Sequence, residues 1–268
     1  MKGKGFTRSR LLTGLAAGVL LSAALPAFAD DAAIQKRVEA RLEKAKLPTA
    51  GDVQVSVSNG VVKLSGAVTT VAAQRSAEKA ARKEAKVVES HLQVVPEERP
   101  DGDIGKSVRS AILRYPWYNV FESVQYGVDN GVVLLQGSVQ QRWRKDDVDS
   151  LVAAIPGVRE VRDEITVQSL SPFDDRLRHQ IYRGIYGNSS AAMGRFEGDP
   201  DPPVRIVVDK GRVTLTGYVS SPVEQALVGN VARQTLAFAV DNKVKVDGEP
   251  PASDRKPGKT DSNGGTEI

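Results

Sequence analysis

Three segments of this chain alternate apolar and polar residues with a period of two, and they align with one another without a gap: Val53–Val68, Val124–Val139 and Val204–Val219. Each carries a glycine at the same place (Gly60, Gly131, Gly211) and a second glycine six residues later (Gly66, Gly137, Gly217). Asn59-Gly60 and Asn130-Gly131 are strong two-residue turn signals, because a type I′ turn needs positive φ at both central positions. Lys210-Gly211 is weaker at its first position but keeps the glycine. A turn placed there pairs Val57 with Val62 and Val55 with Leu64. In the second copy it pairs Val128 with Val133 and Tyr126 with Leu135, and in the third Val208 with Val213 and Ile206 with Leu215. Each hairpin thus has one apolar face, while the other is mostly polar in the first copy (Gln54, Ser56, Ser58, Lys63, Ser65). Such a hairpin is not stable alone and calls for a helix on its apolar face.

Helical patterns flank each hairpin. Before it stands a stripe spaced by four: Ile34/Val38/Leu42, Ile104/Val108/Ile112 and Leu177/Ile181/Ile185. After it come apolar positions at common offsets: Ala77, Ala80 and Ala81; Val148, Leu151 and Val152; Val228, Val231 and Ala232. Each copy closes with a β-rich segment, at 87–95, 158–167 and 238–246, with Pro156-Gly157 ending the helix before the second of these. The expected fold is α+β: three tandem α-β-β-α-β domains, each with two helices on a three-stranded mixed sheet. The second helix is the right-handed crossover that a parallel strand pair needs. The expected domains are 30–96, 102–169 and 174–247. In the third, residues 187–203 read as an inserted loop rich in Gly, Ser, Asp and Pro. Residues 248–268 hold almost no apolar side chains and read as a disordered tail.

The N-terminal stretch changes the reading of charge. Lys2, Lys4, Arg8 and Arg10 precede a short apolar run and an Ala27-Phe28-Ala29 cleavage pattern, so residues 1–29 read as a secretory signal peptide cut after Ala29. The run is too short and too rich in Gly and Ala for a membrane span. The formal charge of +4 comes from 37 basic and 33 acidic residues, and four of the bases lie in this segment. The remainder is balanced, which argues against nucleic acid as a partner. The chain has no cysteine, which removes disulfides, thiolate chemistry and the acylated cysteine of a lipoprotein. A periplasmic location follows as an expectation.

The order helix, strand, turn glycine, strand, second glycine, helix, strand resembles the BON domain of OsmY-like periplasmic proteins. The residues that carry the resemblance are Asn59–Val68, Gly131–Val139 and Gly211–Val219, with Pro156-Gly157-Val158 before the last strand of the second copy. The resemblance implies contact with phospholipid or envelope surfaces, transport-associated roles, and work in envelope maintenance or osmotic stress. It equally admits a chaperone-like or assembly module for exported proteins, and a free strand edge in each domain would suit such a partner. Three copies rather than two, the inserted loop and the missing lipidated cysteine set this chain apart from many relatives.

Candidate binding residues cluster in the second copy. Tyr115, Trp117, Tyr118 and Phe121 put four aromatics in seven positions of a chain that is 5% aromatic. Trp and Tyr favour the headgroup region of bilayers. Arg109 and Arg114 would add about 1 kcal/mol each near an anionic surface. Alternatively, Trp117 and Phe121 fill the core of the second copy and Tyr118 caps it. Arg142-Trp143-Arg144-Lys145 is a second candidate, suited to a membrane surface or an acidic partner, or simply a solvated helix face. Gly60, Gly131 and Gly211 are expected to supply positive φ, and Gly66, Gly137 and Gly217 to let a helix pack close to a strand. No phosphate-binding glycine motif is present. No nucleophile-elbow or zinc-protease motif occurs, and His91 and His179 have no partner visible in sequence. The chain therefore reads as non-enzymatic, with no cofactor and no metal site.

Overall fold

The computed structural model describes residues 25–169, 171–187, 193–199 and 201–247. The expected signal peptide up to residue 24 and the tail from 248 lie outside the described residues. Leu25–Ala29 are already part of the first helix. None of the described helices is long and apolar enough to cross a membrane.

The first repeat runs α1 (Leu25–Ala45), β1 (Gln54–Ser58), β2 (Val61–Val68), α2 (Val71–Ala81) and β3 (Val87–Val94). The second runs α3 (Asp101–Arg114), β4 (Ser123–Asp129), β5 (Val132–Val139), α4 (Arg142–Ala153) and β6 (Glu160–Val167). The third runs α5 (Pro172–Tyr186), β7 (Val204–Asp209), β8 (Arg212–Val219), α6 (Pro222–Arg233) and β9 (Ala239–Val246), with a 3-10 turn at Gly194–Phe196. Each sheet is three-stranded, with the second hairpin strand in the middle. The hairpins are antiparallel, and β5 with β6 and β8 with β9 are parallel. The α+β, thrice-repeated architecture read from the sequence is the architecture present.

Hairpin register follows the turn. Val57 lies opposite Val62, Val128 opposite Val133 and Val208 opposite Val213. All three turns take positive φ at both central residues, 51° and 75° at Asn59-Gly60, 50° and 77° at Asn130-Gly131, and 49° and 73° at Lys210-Gly211. The second glycine of each motif serves the backbone rather than a helix, which corrects the packing reason expected for Gly66, Gly137 and Gly217. Their φ values are 121°, 116° and 126°. A Cβ there would run into the carbonyl oxygen of Asp52, Ser123 or Pro203, at or just before the start of the first hairpin strand.

A carboxylate on the first helix ties that helix to the turn in every repeat. Asp31 accepts hydrogen bonds from the amides of Asn59 (2.7 Å) and Gly60 (2.8 Å). Asp101 accepts from Asn130 (2.8 Å) and Gly131 (2.9 Å). Asp174 accepts from Lys210 (3.0 Å) and Gly211 (2.7 Å). The αL-αL turn aims two adjacent amides the same way, and the two carboxylate oxygens match them.

The chain divides into two compact units. The first holds the chain up to Leu47, Asp52–Gly66 and Ser76–Leu92. Its core is small: Val38, Val55, Val62, Leu64, Ala77, Ala81 and Leu92, with Ile34 and Leu42 packed at its edge. The second unit contains the second and third repeats. There the stripes Ile104/Val108/Ile112 and Leu177/Ile181/Ile185 are buried against β5 and β8, whose Val133, Leu135, Val213 and Leu215 face them. Leu151 is exposed, a departure from the expected inner face of α4, which instead buries Val148, Val152 and Ala153. The expected insert in the third repeat turns back to the core at Met193, which is buried and donates its amide to the Ile185 carbonyl at 2.8 Å.

Candidate functional site

Helix α3 stops at Arg114 because Pro116 follows Tyr115, whose backbone is extended (φ −70°, ψ 116°). Two tight turns then carry the chain to β4. The Tyr118 amide donates to the Tyr115 carbonyl at 3.0 Å, and the Glu122 amide to that of Asn119 at 3.1 Å. The Asn119 side chain accepts from the Phe121 amide at 2.9 Å. These turns send successive side chains in different directions. Tyr115 goes into the second core and donates its hydroxyl to Asp147 at 2.6 Å. Trp117 points to solvent, 57% exposed.

Trp143, at the start of α4 and 43% exposed, meets Trp117 edge to face with ring centroids 5.8 Å apart and planes at 87°. That is a favoured aromatic geometry. Both tryptophans of the chain therefore share one surface patch. The Arg144 guanidinium lies 5.1 Å from the Trp143 ring centre and donates to Glu122 at 2.5 Å. Glu122 is fully buried; burial pushes its carboxyl above the ordinary value, against the opposing pull of Arg144. Arg114 and Arg142 are exposed and form no ion pair among the described residues. They flank the patch in sequence, three positions before Trp117 and one before Trp143.

The other candidates face the third repeat. Arg109 pairs with Asp201. The Tyr118 ring packs on the second core and carries the Arg205 guanidinium 4.5 Å above it. Phe121 packs against the third core, 5.8 Å from His179 and 5.9 Å from Tyr182. Backbone groups join in: Ile206 donates to the Val120 carbonyl at 2.8 Å and Arg205 to that of Asn119 at 3.2 Å. So the edge of β7, expected to be open to a partner strand, is met at Ile206 by the second repeat. Sequence reasoning singled out the aromatic cluster but not Arg205, Asp201, Tyr182 or Gln168, whose side chain donates to the Phe121 carbonyl at 3.0 Å.

Three stretches of the chain match the BON domain, at residues 30–96, 100–169 and 190–248. The chain belongs to the BON-domain family. The third match begins after α5, which the structure nevertheless places on the third sheet. No curated protein matches the chain. Among solved structures it is similar to CdsD, a structural protein of the type III secretion system of Chlamydia trachomatis. That match has 14% identity and a TM-score of 0.24, and covers 83% of this chain and 98% of the other. It is also similar to the periplasmic domain of the type III secretion inner membrane protein PrgH from S. typhimurium. Here identity is 14% and the TM-score 0.20, over 74% of this chain and 94% of that one.

Proposed function

We propose that this chain is a non-enzymatic binding protein of the bacterial envelope that engages phospholipid or envelope surfaces through the Trp117–Trp143 pair. The reading rests on one observation: the two tryptophans meet on the surface with 57% and 43% of their area exposed. Indole rings held in water gain by moving to a headgroup region, where the ring is sheltered and its N–H stays wet. Arg114 and Arg142 supply attraction to anionic lipid, on the order of 1 kcal/mol each at such a surface. Export through the N-terminal signal brings the protein to that compartment, and without an acylated cysteine its contact is reversible. Envelope maintenance under osmotic stress is the setting that fits.

Co-sedimentation of the mature protein with anionic and neutral vesicles across salt tests this. Binding to anionic vesicles that fades with salt, with a blue shift of tryptophan emission, is expected. The double variant Trp117→Ala/Trp143→Ala should lose roughly tenfold or more in vesicle affinity. Its unfolding midpoint should move little, since about half of each side chain already faces solvent. Unchanged vesicle binding by that variant sinks the assignment.

A second reading, assembly or chaperoning of exported proteins, draws on the third repeat. There Leu236 and Phe238, in the turn after α6, are 78% and 76% exposed. Failure to bind either vesicle, together with suppression of a client protein's aggregation, would favour it.

A further inference from the structure

The Tyr118–Phe121 segment of the second repeat meets α5 and the 194–199 turn of the third around a cleft of about 430 Å³. Its walls include the rings of Tyr118, Phe121, Tyr182, Tyr186 and Phe196, with His179 beside them. The planes are turned against one another, by 63° between Phe121 and Tyr182 and 41° between Tyr182 and Tyr186. They therefore present faces in several directions instead of forming one stack. Asp199 is the single carboxylate of the lining, and no lysine or arginine lines it among the described residues. Asp199 is exposed and forms no ion pair among those residues.

Several polar groups around this cleft are already engaged. The Tyr186 hydroxyl donates to the Val204 carbonyl at 2.7 Å and accepts from the Val204 amide at 3.0 Å. The Tyr118 hydroxyl accepts from the Val124 amide at 3.2 Å. The carbonyls of Asn119, Val120 and Phe121 accept from Arg205, Ile206 and Gln168. A ligand rich in N–H or O–H donors finds these carbonyls taken, and an anion meets Asp199. A methylated cation asks for no hydrogen bonds and is drawn both to ring faces and to the carboxylate. The molecule already sets two cations on these rings, Arg205 over Tyr118 and, from outside the lining, Arg195 4.6 Å from the centre of Phe196.

We infer that this cleft binds the trimethylammonium group of a choline-type molecule, with Phe196 and Asp199 as principal contacts. The site uses different residues from the tryptophan pair, so either assignment can fail alone.

The test titrates the full chain with choline chloride and with its neutral carbon isostere, 3,3-dimethylbutanol, read by NMR shifts of the aromatic side chains. Dihexanoylphosphatidylcholine, kept below its micelle concentration, provides a lipid arm. Saturable choline binding is expected, with the isostere weaker by roughly tenfold. Phe196→Leu and Asp199→Asn should each weaken choline by about the same factor; exposed Asp199 gives a clean reading should Phe196→Leu disturb the fold. Binding of choline chloride itself points to a free solute. Binding of the short-chain lipid alone points to a headgroup, and either upholds the site. Equal affinity for choline and the isostere overturns it, as does the absence of saturation with both choline compounds.

Discussion

Glu122 has no exposed surface, holds Arg144 through one carboxylate oxygen, and leaves the other without a partner among the described residues. Arg144 likewise has an unpartnered Nε. Removing a charge from water costs more than one imperfect ion pair returns, and so burial raises the carboxyl above its ordinary value. An acid whose folded pKa lies above its unfolded value lends its full stability below the unfolded pKa. That contribution drains away as pH rises through the folded one. Glu122→Gln fixes the neutral shape. The stability of the variant relative to wild type should therefore rise in denaturant titrations as pH climbs above the ordinary carboxylate range. A difference that instead falls with pH would mean that the Arg144 contact outweighs burial. The same pairing holds Arg144 beside Trp143, so this buried acid is also a support of the surface aromatic pair.

At the scale of elements, the carboxylate that joins helix to hairpin turn repeats in all three copies and differs mainly in burial. Asp174 is fully buried, whereas Asp101 is half-buried. Asn in its place presents an N–H₂ to one of two turn amides, which is then left without an acceptor. Water can repair this at Asp101 but not at Asp174. Urea unfolding should show Asp174→Asn costing about 2 kcal/mol and Asp101→Asn about 1 kcal/mol. Equal costs would mean that the turn does not depend on the buried acceptor. The turn itself was readable, because Asn-Gly between alternating segments fixes both the turn type and the register. The helices were readable from their stripes. The carboxylates were not, although each stands three residues before the first stripe position (Asp31 before Ile34, Asp101 before Ile104, Asp174 before Leu177). An acid there looks like ordinary N-terminal helix charge. Its true partners lie 28 to 37 positions away. The tryptophans stood out by composition, but their meeting did not, because the loop after α3 and the start of α4 share no periodicity. Tyr118 packs on the second core, as one of the two sequence readings has it, but Phe121 does not: a cluster in sequence does not say which repeat each ring will pack against.

On the scale of the whole molecule, the second and third repeats form one compact unit through contacts that are mostly polar. They include Val120 to Ile206, Asn119 to Arg205, Arg109 to Asp201, Arg205 over the Tyr118 ring, and the Ser123 and Thr216 hydroxyls at 3.0 Å. A further path runs from the Gln168 side chain to the buried Arg178, 2.9 Å away. Phe121 is the large apolar side chain that crosses this junction and enters the third core's edge. Polar contacts of this kind contribute roughly 1 kcal/mol each after the exchange with water, so the shared ring carries much of the coupling. Phe121→Ala should cost about 2–3 kcal/mol, less than a fully enclosed phenylalanine. In calorimetry it should also split or broaden the unfolding of these two repeats, which otherwise melt together. A lower midpoint with the same sharpness would mean that Phe121 merely fills the third core. The distinction matters for binding, because two repeats held as one body present the tryptophan patch and the aromatic cleft at a fixed spacing. Weak contacts at both then add through effective concentration only while that spacing lasts. A Phe121→Ala protein whose repeats melt apart should accordingly lose vesicle affinity with both tryptophans intact.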